Sequence, residues 1–254
     1  MIRITFLGTG TSQGVPMIAC DCDVCTSTDP KDKRLRTSIL VESEEATIVI
    51  DAGPDFRQQM LRESVTKLDA VLFTHEHKDH IAGLDDVRAY NYISGKPMDV
   101  FATSRVQEAL KREFFYVFSG AQYPGIPKLN LHTIHNVPFE IKGIRFEPIE
   151  VMHLNLSVFG FRIGDFTYIT DANFIADSEK EKIKGSRYLV LNALRREKHV
   201  SHFTLKEAVD IIDELKPEKA WIIHLSHQMG KHAEINQELP EYIQCAYDGL
   251  KIEV

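Results

Sequence analysis

No apolar run in this chain approaches the roughly 18 residues that a membrane-spanning helix needs, so no membrane partner is expected. The first residues, Met1-Ile-Arg-Ile-Thr-Phe-Leu-Gly8, alternate like a strand and lack the apolar stretch and small-residue cleavage site of a signal peptide. A cytoplasmic location is the expectation. Runs of Lys and Arg are missing too, and a formal charge of -7 gives no general attraction for polyphosphate, which argues against an extended nucleic-acid partner. Neither low-complexity tracts nor short-period repeats occur, and no linker splits the 254 residues. Residues 1–254 are therefore expected to form one domain. With 43% hydrophobic residues and only four cysteines, the chain can bury a core without disulfide staples.

Short apolar runs are present throughout: Ile2–Leu7, Ser38–Val41, Thr47–Ile50, Ala70–Phe73, Asp99–Ala102, Ile144–Val151, Val158–Ile163, Phe166–Ile169, Tyr188–Leu191, Ala220–Ile223 and Leu250–Val254. Their length and β-branched content predict strands. Helical periodicity lies between them, in Phe56–Arg62, Leu84–Tyr92, Arg105–Phe118 and Leu205–Leu215. In the last of these Leu205, Ala208, Ile212 and Leu215 share a face, and Thr204 with Glu207 makes a capping-box pattern. The pattern predicts an α/β fold, two mixed sheets packed together with helices outside. Ser119–Pro138, rich in Gly and Pro, is expected to be a long surface loop, with His132 and His135 either covering a pocket or at a hairpin tip.

Histidine is plentiful, with 11 in the chain, and four candidate ligands fall within six residues in Thr74-His75-Glu76-His77-Lys78-Asp79-His80. This segment directly follows the strand-like run Ala70–Phe73. A loop at a strand end can aim His75 and His77 to one side and Asp79 and His80 to a neighbouring position, so one segment can serve two ions. Imidazole nitrogen and carboxylate oxygen suit zinc, manganese or iron. His153, Asp171 and His224 each end a comparable apolar run. A second cluster is chemically different: Cys20, Cys22 and Cys25 are soft ligands spaced for one face of a tetrahedral zinc site, and His227 is the leading candidate for the fourth.

The series His75-x-His77-x-Asp79-His80, His153, Asp171, His224 resembles the ligand motifs of the metallo-β-lactamase superfamily, in order and over essentially the whole chain. The resemblance implies a four-layer αβ/βα sandwich. It also implies two divalent ions, zinc or manganese: His75, His77 and His153 on one, Asp79, His80 and His224 on the other, and Asp171 between them. Asp51, opening Asp-Ala-Gly53, matches the family's structural Asp, which orients a ligand without coordinating. The opening Phe6-Leu-Gly-Thr-Gly-Thr-Ser-Gln-Gly-Val-Pro16, the cysteine cluster and Ile223-His-Leu-Ser-His227 look like the PhnP group, phosphodiesterases that open a cyclic phosphate on ribose and carry a second, structural zinc. Gly83-Leu-Asp-Asp-Val-Arg88 also resembles that group, Arg88 either meeting a phosphate or forming a surface salt bridge.

The resemblance implies hydrolysis of a small phosphodiester, a cyclic sugar or nucleotide phosphate, by a metal-bridging hydroxide, with Asp79 and His202 as catalytic residues. His202, ahead of the capped helix, resembles the proton donor of the tRNase Z group, with His199 as the substitute. Two alternatives stand beside this expectation. One is thiolester or lactone hydrolysis on the same dinuclear site, and the other is a non-catalytic carrier similar to PqqB. A homodimer is left open.

Overall fold

The computed structural model describes residues 1–120 and 123–254. In chain order its strands are β1 (Arg3–Gly8), β2 (Ser38–Glu42), β3 (Thr47–Ile50), β4 (Ala70–Leu72), β5 (Met98–Ala102), β6 (Leu129–Thr133), β7 (Phe139–Ile141), β8 (Ile144–His153), β9 (Leu156–Ile163), β10 (Phe166–Tyr168), β11 (Phe174–Ile175), β12 (Tyr188–Asn192), β13 (Lys219–Ile223), β14 (Ile243–Cys245) and β15 (Lys251–Glu253). The α-helices are α1 (Phe56–Arg62), α2 (Lys78–Ile81), α3 (Arg88–Ser94), α4 (Ser104–Glu113), α5 (Phe115–Phe118), α6 (Asp177–Ile183), α7 (Leu205–Leu215) and α8 (His232–Glu238). No described helix is long and apolar enough to cross a membrane.

One sheet runs β15-β1-β2-β3-β4-β5-β6, the other β11-β8-β9-β10-β12-β13-β14, with β7 on β8. The last strand returns to the first, Arg3 facing Glu253 in antiparallel pairing. Between the sheets Ile4, Phe6 and Ile50 meet Phe146, Phe161, Tyr168 and Trp221. Each such side chain contributes roughly 1.5–3 kcal/mol through burial. Alternation sends the other strand residues outward. Leu40, Val49 and Val71 lie under α1, α3 and α4 through Phe56, Met60, Tyr90 and Val106, and Leu189 and Leu191 lie under α6 and α7 through Ile183, Ala208 and Ile212. Helices, sheet, sheet and helices make the expected four-layer α/β sandwich.

Several local expectations change. Arg105–Phe118 is two helices, broken at Phe114, whose backbone (φ -111°, ψ 42°) leaves the helical region. The aromatic run Phe114-Phe-Tyr116 is weak in helix propensity, and burial of Phe114 sets the local path. Leu84–Tyr92 opens as a 3-10 turn, Leu84–Val87, before α3 begins. The Ser119–Pro138 segment contains edge strand β6, where Leu129 and Leu131 pack on the outer layer while His132 stacks on Phe101 and bonds Asp99. His132 is thus at a sheet edge and covers no pocket; residues 121–122 of that segment lie outside the described residues. Strand β11 has only two residues, and polar residues interrupt β7, β14, α2, α6 and α8, so none shows the apolar run that marks the equally short β4. The capping box at α7 is formed: Thr204 Oγ1 accepts from Glu207 N, and the Glu207 carboxylate accepts from Thr204 N.

Candidate metal centre

Pairing among β3, β4, β5 and β6, and among β10, β12, β13 and β14, is parallel, and sites in such sheets form beyond the carboxyl ends of the strands. Asp51 follows β3, the His75–His80 segment follows β4, His153 ends β8, Asp171 follows β10, and His224 follows β13. Asp51, Asp171 and His224 take left-handed backbone, with φ of 67°, 54° and 58°. Such conformations persist where surrounding contacts impose them, and they turn these side chains out of the sheets toward one point.

The seven side chains meet there. His75 Nε2 lies 3.1 Å from His77 Nδ1, near the spacing of about 3.3 Å expected for two nitrogens on one ion at bonds of about 2.05 Å. The His153 ring is 5.1 Å from His77 and 5.9 Å from His75 between centroids. Its Nδ1 donates to the Ser201 carbonyl at 2.7 Å, which leaves Nε2 as the lone pair. Ligand atoms of Asp79, His80, Asp171 and His224 all lie within 4.8 Å of one another. His80 Nε2 is 3.2 Å from both Asp79 and Asp171, and His224 Nε2 is 3.2 Å from Asp171. None of these contacts has hydrogen-bond geometry, so His80 Nε2 and both His224 nitrogens are buried without a partner. A buried unsatisfied polar atom costs about 1–3 kcal/mol. Clustered lone pairs and carboxylates of this kind fit divalent cations, and the donor set suits zinc or manganese.

Electrostatics point the same way. Burial pushes His75 well down and lowers His153, giving the neutral rings that ligation requires. At His80 burial opposes charge, but Asp79, Asp171 and Asp51 outweigh it and hold the ring well above its ordinary value. At Asp171 burial opposes ionisation, yet His224 and His80 keep the carboxyl well below the usual range. The site favours positive charge at its centre. Asp51, fully buried, accepts from Thr74 N and Oγ1 at 2.9 and 2.8 Å and from His80 Nδ1 at 2.7 Å, so it orients His80.

His202 stands between His153 and His224, 4.6 Å from each by ring centroid, with Nδ1 3.9 Å from Asp171 Oδ1. It forms with His153 and Asp171 a third group able to hold a cation. Burial, then the charge of His224, pushes it down to about 2, so the resting ring is neutral. His199 lies 5.2 Å further out. Both line a cavity of about 410 Å³ with Thr11, Gln13, Ser226 and Gln228. Arg88 is not in this site and pairs with Asp85 at 3.1 Å.

Away from the centre, Cys20 and Cys22 Sγ each lie 3.3 Å from His227 Nδ1, and Cys25 completes a four-ligand cluster. The His227 contact lowers Cys22 to about 6, whereas burial pushes Cys25 up to about 11. Sequence reasoning missed Thr74 and Thr170, which precede ligands and bond Asp51 and Asp171; a Thr just before each ligand was the available signal. It also missed Ser201 and Asn192, which act through the backbone and leave no pattern.

The fold and this site define a class. A profile of the beta-lactamase superfamily domain matches residues 46–225, and the chain belongs to that superfamily. A solved diphosphatase from the PhnP family superposes with a TM-score of 0.94 at 40% identity, covering 100% of this chain and 98% of that one, so the chain is a PhnP-family protein. Zinc-bound PqqB from Methylobacterium extorquens superposes at 0.80 with 18% identity, and human short-form tRNase Z at 0.70 with 14%; both share the fold. Among curated proteins, an octanoyltransferase of Porphyromonas gingivalis is 41% identical over 98% of this chain and 51% of its own length. Coenzyme PQQ synthesis protein B of Xanthomonas oryzae is 28% identical over 59% of this chain and 52% of its own length. The chain spans about half the length of these curated relatives.

Proposed function

We propose that the chain is a metal-dependent phosphodiesterase acting on a small phosphodiester, with a cyclic sugar or nucleotide phosphate as the best-fitting class. The observation that carries this reading is the cluster of partnerless, buried ring nitrogens around Asp171, opening on a polar cavity. In it His75, His77 and His153 would hold one divalent ion, Asp79, His80 and His224 would hold another, and Asp171 would contribute to both. Two such ions supply Lewis-acid charge and lower the pKa of water toward neutrality.

The chain's own residues do the rest. Asp51 fixes the tautomer of His80, and Ser201 fixes that of His153. His202 gives the leaving alkoxide its proton, with His199 as the substitute. Burial keeps the resting ring neutral, so His202 takes up from solvent the proton it later gives to the alkoxide, once the anionic diester beside it offsets that burial. Cys20, Cys22, Cys25 and His227 hold a structural zinc that ties the N-terminal loop to the cavity rim. Residues 1–254 act as one domain, and the diphosphatase name of the PhnP-family neighbour supports hydrolysis at phosphorus.

A second reading, thiolester hydrolysis on the same centre, draws on the octanoyltransferase name of the Porphyromonas relative. That activity belongs to a protein twice as long. The cavity offers hydrogen bonds to a diester's oxygens from Thr11, Gln13, Ser226 and Gln228, beside the apolar Met17 and Leu194. The test is release of nitrophenol from bis(p-nitrophenyl) phosphate by zinc- and manganese-loaded protein, with an octanoyl thiolester in parallel. Cleavage of the thiolester alone would overturn the first reading, and cleavage of neither would support a carrier role.

A further inference from the structure

Asn192 belongs to no ligand motif, yet it is fully buried at the end of β12 and both ends of its amide are engaged. Oδ1 accepts from the Ala172 amide at 2.8 Å, and Nδ2 donates to the Ala172 carbonyl at 2.9 Å. The same carbonyl accepts from the Phe203 amide at 2.9 Å, and Leu194 N donates to the Phe203 carbonyl at 3.0 Å. Ala172 directly follows Asp171, and Phe203 directly follows His202.

The location explains the residue type. Parallel pairing of β10 with β12 ends at Tyr168 and Val190, with one further bond from Ile169 N to Val190 O. Beyond it the chain swings away to place Asp171 at a left-handed φ of 54°. A side-chain amide has the donor and acceptor of a peptide group, so Asn192 supplies the rungs that the diverging backbone no longer can. Through Ala172 it joins two segments, one carrying Asp171 and the other carrying His202.

We propose that Asn192 is a positioning residue that sets the separation between the Asp171 carboxylate and the His202 imidazole. The inference rests on the reading of His202 as proton donor given above. Asn192 itself faces no ligand atom: it bonds Ala172 alone and reaches the His202 segment through the Ala172 carbonyl that Phe203 N also bonds. A diester whose leaving group needs a proton should feel its loss, whereas p-nitrophenolate leaves without one.

The test compares Asn192→Ala with wild type on a cyclic phosphate of a simple diol and on bis(p-nitrophenyl) phosphate. We expect kcat to fall about tenfold or more on the cyclic phosphate, a share of the roughly 10²–10⁴-fold that a general acid contributes, with little change on the nitrophenyl diester and unchanged metal content. In the His202→Ala background, Asn192→Ala should cause no further loss. Asn192→Asp keeps the acceptor for the Ala172 amide but sets a second oxygen against the Ala172 carbonyl, so it should lose rate on the cyclic phosphate much as Asn192→Ala does. Should Asn192→Ala fail to fold, Asn192→Ser removes the same two bonds and carries the comparison. Equal losses on both substrates, or additivity with His202→Ala, would overturn the proposal. Crystals of the variant give an independent readout: the separation of His202 Nδ1 from Asp171 Oδ1, 3.9 Å here, should widen, and an unchanged value also overturns it. If wild type cleaves neither diester, the phosphodiesterase reading fails, while that separation still decides the positioning role.

Discussion

Around Asp79 the backbone is as constrained as the side chains. A Cβ placed on Gly53 would stand 1.9 Å from the Asp79 carbonyl oxygen, and one on Gly83 would stand 2.0 Å from the Gly53 carbonyl oxygen. Glycine at 53 therefore lets the loop after β3 pack against the ligand loop after β4. Gly53→Ala should force the two apart at a cost of about 1–3 kcal/mol, the usual range for overpacking, and calorimetry with metal analysis should show a lower Tm and less bound metal. Asp171 is different, because it accepts from Thr170 Oγ1 at 2.6 Å while facing His80 and His224. Asp171→Ala should abolish diester cleavage and lower metal content while the circular dichroism spectrum keeps its native form. A variant that retains turnover would contradict the shared role given to this carboxylate.

The cysteine loop and α7 are elements whose contributions can be separated. Cys25 is buried with Val15 and Val24, and Lys33 Nζ donates to its carbonyl at 2.9 Å. Cys22 and His227 connect that loop to the turn after β13, which carries His224. Cys22→Ser should lower Tm by roughly 5 °C, the shift that about 2 kcal/mol produces in a chain of this size, and should remove the zinc–sulfur signal from X-ray absorption. An unchanged Tm would sink the structural-zinc idea. Helix α7 starts three residues after His202, and Thr204→Ala should cost about 1 kcal/mol through loss of the cap, measured by urea unfolding.

For the molecule as a whole, acid stability should depend on a neutral histidine held against a buried arginine. His232 Nδ1 faces Arg34 Nη2 at 3.3 Å, and Arg34 is itself buried, donating to Thr9 Oγ1 and the Ala246 carbonyl. Burial, then Arg34 and Lys31, lower His232 to about 4 against the opposing charges of Asp29 and Asp32. Because the folded value lies below the ordinary one near 6.5, the unfolded chain takes up the proton first as pH falls. Stability from this group is complete above about pH 6.5 and is lost as pH drops toward 4. Tm measured across that window should decline less steeply in His232→Gln than in wild type; equal slopes would remove His232 from the account.

Periodicity and motif spacing made the layers and the ligand runs legible from the sequence alone, because an apolar strand that ends in a His or Asp is a local pattern. Strand β11, with two residues, and β14, where Gln244 divides the apolar pair, escaped because neither makes an apolar run. The break at Phe114 escaped because burial of a side chain, not propensity, sets it. Sequence by itself determined which residues could be ligands and which runs could pair. Tertiary structure alone decided that Asn192 grips Ala172, that Arg34 lies against His232, and that the chain's last strand pairs with its first. Those contacts join positions that no local pattern relates, and strand pairing within each sheet, with the loops it places, brings them within reach.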